Sequence, residues 1–161
     1  MKRSLIVKIC TVAVILGIAA CMFVIGRGHT VYFDAKPIEY NGCDLNATLG
    51  LILQTLSDVS QKKYYGATIL IDVLRGSQNK RVLSDGLDDC KGYGKLAGVR
   101  REDVQFLVEW LIENEYIRQT RGPYPVLHPT YNGEHYGEVI TRQKLQALKR
   151  KLEDTEFYLE D

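Results

Sequence analysis

Between Ser60 and Arg101 the chain places nine basic residues (Lys62, Lys63, Arg75, Lys80, Arg81, Lys91, Lys95, Arg100 and Arg101) against four aspartates. The local charge of this window is +5. At its centre stands Leu74-Arg75-Gly76-Ser77, followed after three residues by Arg81. Arginine forks and a serine hydroxyl at a helix N-terminus suit phosphate oxygens, and backbone N–H groups add further donors. Contacts of that kind position a polyanion without reading base sequence. The plainer alternative is a solvated basic face in which Arg75 pairs with Asp72 or Asp85.

Other combinations of reactive side chains are weaker. His29, His128 and His135 share no metal-ligand spacing. Asp88 and Asp89 are adjacent carboxylates in a glycine-rich stretch, where solvation is the ordinary outcome. Gly92-x-Gly94 has no strand–helix context, and the chain contains no G-x-x-x-x-G-K-[ST], so nothing cradles a nucleotide triphosphate. Cys10, Cys21, Cys43 and Cys90 form no C-x-x-C pair, and only the last two lie outside an apolar run, too few for a disulfide framework or a zinc site. These residues imply no catalytic centre, no cofactor and no metal.

The elements that must position the basic window belong to a chain of 161 residues, a length for one domain or two at most. A composition 45% hydrophobic and 25% charged excludes collagen-like, low-complexity and wholly disordered classes. The net charge of +1 is uneven. Lys2, Arg3, Lys8 and Arg27 surround one apolar run, and the residues after Arg27 carry 17 basic against 20 acidic side chains. A globally basic nucleic-acid coat is excluded, while a local basic patch is not.

From Ile9 to Gly26 there are 18 residues without a charge. As a helix they would span about 27 Å, close to the hydrocarbon thickness of a bilayer. Ile18-Ala19-Ala20-Cys21 also looks like a lipoprotein signal, but the apolar Met22-Phe23-Val24-Ile25 that follows argues for a membrane anchor. We therefore expect a single-pass membrane protein. Flanking charges weigh slightly toward an exported domain, but a patch that binds nucleic acid needs a cytoplasmic one, and the main domain is expected to face the cytoplasm.

Residues 29–43 carry Pro and Gly without periodicity and read as a linker. Leu45, Leu49, Ile52, Leu53, Leu56 and Val59 then fall on one face of an amphipathic helix, with Asp44 or Asn46 as its cap. Tyr64–Leu74 is a second apolar stretch, ended by Arg75-Gly76-Ser77. A short helix is expected near 77–83, followed by an ordered loop. Val104, Leu107, Val108, Leu111 and Ile112 mark a third strong helix over Arg100–Glu115; Phe106 and Trp110, off its main face, are expected to pack under the hairpin that follows or else to present a partner surface. Two short extended runs about Gly122-Pro123 predict a β-hairpin. Residues 138–155 predict a polar helix with Leu145, Leu148 and Leu152 along one side. Three helices and then a hairpin is the order of a winged helix.

The segments QKKYYGATILIDVLRGSQNKRV, KGYGK and VEWLIENEYIRQTRGPYPVLHPTYNG resemble the RQC domain of RecQ family DNA helicases, over roughly Phe33 to Gly133. The most specific element is Leu74-Arg75-Gly76-Ser77-x-x-x-Arg81, joined downstream by Tyr93-Gly94. The helicase lobes and the four-cysteine zinc module of that family have no counterpart in this sequence, and Cys43 stands alone where the module would end. The resemblance implies a winged helix that binds DNA without ATP-driven unwinding. It implies duplex or branched DNA as partner, with contacts from Arg75, Ser77, Lys80, Arg81 and Lys95. It also implies an aromatic wedge at the wing tip, which an ungapped match assigns to Tyr124, flanked by Arg118 and Arg121.

The resulting expectation is a mostly α fold with a small β-hairpin wing, a winged helix-turn-helix preceded by one transmembrane helix and followed by a C-terminal helix. Its divisions would be an anchor at 1–27, a linker at 28–43, the winged helix at 44–133 and a polar helix and tail at 134–161. A protein-interaction module without DNA binding, or a remnant of a larger helicase, are the competing functions.

Overall fold

The carboxylate of Asp44 accepts the Asn46 N–H at 2.9 Å and so starts the first long helix. In the computed structural model, which describes residues 37–157, that helix is α1, Leu45–Lys62. Leu45, Leu49, Ile52, Leu53, Leu56 and Val59 are all buried, as their spacing requires. Just before it, β1 (Glu39–Tyr40) pairs antiparallel with β2 (Cys43–Asp44). Asn41 and Gly42 turn the chain between them with φ of 48° and 76°, the two positive values that a tight two-residue hairpin needs. Part of the expected linker is thus a small hairpin tied into the fold: Ile38 is buried, and the Tyr40 hydroxyl donates to the Leu152 carbonyl at 3.3 Å.

The remaining helices are α2 (Ala67–Leu74), α3 (Lys80–Ser84) and α4 (Arg101–Glu113), with one 3-10 turn at Leu87–Asp89 after α3. The wing follows as β3 (Ile117–Gln119) antiparallel to β4 (Leu127–Pro129), in the register Ile117–Pro129, Arg118–His128, Gln119–Leu127. Two short helices, α5 (Tyr131–Glu134) and α6 (Tyr136–Val139), lead into α7 (Arg142–Phe157). Leu145, Leu148 and Leu152 bury the inner side of α7 against the main core, so this helix is packed as part of the domain. A mostly helical chain with small antiparallel hairpins in this order fits a winged helix.

The core has two parts. The larger joins α1, α2, α4, the wing strands and α7. The smaller consists of Val59, Tyr65, Val73, Val82, Leu87 and Cys90, and it underlies α3 and the loop after it. Trp110, off the periodic face of α4, is also buried: its ring stacks on Tyr116 at 5.9 Å between centroids, and Tyr116 meets Tyr136 edge-on at 5.5 Å. Phe106 is half-buried against the same core.

The expected single-pass membrane placement requires correction. Among the described residues no helix is long and apolar enough to cross a membrane. The apolar run at 9–26, and with it the expected anchor at 1–27, lies outside the described residues.

Candidate functional site

Helix α2 ends because Gly76 takes φ +71°, a left-handed turn that costs glycine nothing. The Arg75 N–H returns to the Ile71 carbonyl and the Ser77 N–H to that of Asp72, at 3.0 and 2.8 Å, closing the helix end. The turn then docks on the loop after the 3-10 segment. A Cβ on Gly76 would sit 3.0 Å from the Cα of Gly94, which also has positive φ. The Gly94 N–H donates to the Val73 carbonyl at 3.0 Å and that of Leu96 to Leu74 at 2.8 Å. The Tyr93 hydroxyl reaches both the Gly76 carbonyl at 3.1 Å and the Ser77 carbonyl at 3.2 Å. The R-G-S and Tyr-Gly segments, separate in sequence, are two halves of one joint.

This joint aims the basic side chains. Half-buried Arg75 donates through Nε to the Val99 carbonyl at 3.2 Å, and its two terminal nitrogens have no acceptor among the described residues. Neither aspartate offered as its partner takes that place. Buried Asp72 binds Arg101 at 2.7 Å and accepts from the Asn79 amide at 3.3 Å. Asp85 accepts the Tyr65 hydroxyl at 2.8 Å. Burial, and then that hydrogen bond and the Asp85 charge, push the Tyr65 phenol up to about 12 despite the opposing Arg81. Burial likewise raises the thiol of Cys90.

Asn79, which sequence reasoning passed over, caps α3 by accepting the Arg81 N–H at 3.1 Å. Ser77 lies two residues earlier, its hydroxyl accepting from the Asn79 N–H at 3.3 Å, so the serine supports the cap residue and does not itself cap the helix. Lys80 and Arg81 open α3 and are exposed; the Arg81 guanidinium lies 5.7 Å from the Tyr65 ring centre. Exposed Lys95 follows Gly94 on the facing loop. Arg75 and Ser77 thus lie on one segment of the joint and Lys95 on the other, while Lys80 and Arg81 open the helix that follows.

Arg118, Arg121 and Tyr124 belong to the wing. All three are exposed, Tyr124 to 89%. The wing is tied up to its loop, where the Thr120 N–H donates to the Val126 carbonyl at 3.0 Å and the Leu127 N–H to the Tyr65 carbonyl at 2.8 Å. Among the described residues no group of His, Cys, Asp and Glu is placed to hold a metal ion.

Known proteins share this pattern. The model of the RQC domain matches residues 40–154, and that of a family of unknown function (DUF6672) matches residues 1–64. An ATP-dependent DNA helicase RecQ from Bacillus subtilis (strain 168) is 33% identical over 93 residues, 56% of this chain. The matched part is 16% of that helicase, so the chain spans about a sixth of its length.

Proposed function

The chain belongs to the RQC domain family, and from that premise we propose that it is a DNA-binding module that grips the phosphates of duplex or branched DNA. Arg75, Ser77, Lys80, Arg81 and Lys95 form the phosphate-binding face, and Arg118, Arg121 and Tyr124 bring the wing against a duplex end. One observation carries this reading. The Arg75 fork is steadied by a backbone carbonyl while its terminal nitrogens stay open, and both nearby aspartates are engaged elsewhere. A solvated face has no reason to hold an arginine in that way. A phosphate clamp does, because a pre-positioned fork loses less freedom on binding.

Binding of this kind is electrostatic, and its strength falls as salt rises. The test is titration of the purified chain against fork, closed circular duplex and single-stranded DNA at several salt concentrations. Arg75→Ala and Arg81→Ala should each lower the salt slope by roughly one and weaken all duplex substrates alike. Ser77→Ala should cost less, about 1 kcal/mol, as loss of a neutral donor does. A folded Arg75→Ala/Arg81→Ala variant that binds as the wild type does would overturn the assignment.

A further inference from the structure

Lys62-Lys63-Tyr64-Tyr65 interleaves cations with aromatic rings, and the phosphate face uses none of them. The chain leaves α1 extended at Lys63, with φ −167° and ψ 158°, so the two tyrosines point to opposite sides. Tyr65 is buried in the smaller core, and Tyr64 remains 49% exposed. The Tyr64 ring lies against His128 of β4, with centroids 4.1 Å apart and planes tilted by 39°. His128 stands opposite Arg118 in the wing register, and residues so paired share a face of the ribbon. Arg118 makes no ion pair among the described residues, whereas Lys63 and Arg81 lie on the other side, 6.0 and 5.7 Å from the centre of the Tyr65 ring. A stacked ring pair and one cation, Arg118, thus share the face of the wing that Tyr64 covers.

We propose that Tyr64 and His128 form a stacking platform for an unpaired base of the DNA strand that leaves a duplex end, with Arg118 beside it to meet the strand's backbone. This rests on the DNA-binding reading above and adds a second contact to it, for single strand. The imidazole covers one side of the Tyr64 ring, and the exposed remainder is open to another ring. Every base offers a π-face, so the platform is indifferent to sequence. Tyr124 precedes His128 by four residues, a reach of at most about 13 Å along an extended strand. At about 3.4 Å per stacked nucleotide, the path from wing tip to platform takes no more than roughly four nucleotides.

The experiment uses the full chain and duplexes carrying one tail of zero to six nucleotides, with 2-aminopurine in the tail and closed circular duplex as the reference. Tailed DNA should bind about tenfold tighter than blunt DNA, with the gain complete by about four nucleotides and the 2-aminopurine fluorescence quenched. Tyr64→Ala and His128→Ala should abolish or sharply reduce the gain and the quenching, whereas Tyr64→Phe keeps both. Affinity for closed circular duplex should be the same in all variants. A wild type that gains nothing from a tail, or a Tyr64→Ala variant that keeps the gain, overturns the platform while leaving the phosphate face standing. A wild type that binds no DNA at all overturns both.

Discussion

From Asp72 to Arg81 the backbone is bonded at almost every step: to the helix behind it, to the cap of α3, and through Tyr93 and Gly94 to a loop seventeen residues further on. From Arg121 to Pro125 no residue makes a hydrogen bond among the described residues, and the ties stop at Thr120 and Val126. Both regions display arginine to solvent. The first holds the backbone that carries its cations at fixed spacing, which on the proposed reading suits a regular phosphate backbone. The second presents a ring on a stiff loop without hydrogen bonds of its own, which touches the fold where Pro125 lies against Gly66, with Pro123 and Pro125 limiting its freedom from within. Fixed contacts supply register, and a free tip can meet ends of differing shape.

The comparison is broken most severely at its rigid side. Gly76→Val would force a β-branched residue into positive φ and push its side chain into Gly94. A loss of about 3 kcal/mol is expected, from the left-handed backbone and the overpacking together. Chemical denaturation measures it, and a variant as stable as the wild type would show that the joint is loose.

The tip should respond in the opposite manner. Tyr124→Ala should leave stability within about 0.5 kcal/mol, since the ring is 89% exposed. It should nevertheless weaken binding to forks and blunt ends by about 1–3 kcal/mol, the value of a stacked base, with closed circular duplex unaffected. Competition between fork and circular DNA reads this directly. Equal loss on both substrates, or on neither, would make the wing a packing element only.

A smaller effect sharpens the account of the fixed side. Because the folded state holds the Tyr65 proton more tightly than the unfolded chain, the associated stability is complete below about pH 10 and is lost as pH rises through about 12. Asp85→Asn should move the phenol titration down toward its ordinary value, seen in phenolate absorbance, without abolishing the part that burial causes. An unmoved titration would show that Asp85 does not hold the ring.

The helical faces were legible because a 3.6-residue period needs no knowledge of partners: every leucine assigned to the inner side of α1 and α7 is buried. Trp110 was legible in part: packing under the wing was one of its two readings, and the ring that covers it, Tyr116, stands where the wing begins. The Asn41-Gly42 turn was visible in the residues, yet strands of two residues are too short to show alternation. Of the candidate site, the R-G-S spacing and the wing turn could be read. The contact between Gly76 and Gly94 could not, nor could the choice of Asp72 for Arg101, since each depends on how distant segments meet.

The burial of Trp110 has an optical consequence. It is the chain's single tryptophan, and it is stacked on the residue from which the wing departs. Its emission is therefore an internal gauge of how the wing is seated, available without any attached dye. A nucleic acid that drew the wing away from α4 would change the environment of that indole, whereas one that only touched the distant tip would leave its spectrum as it was.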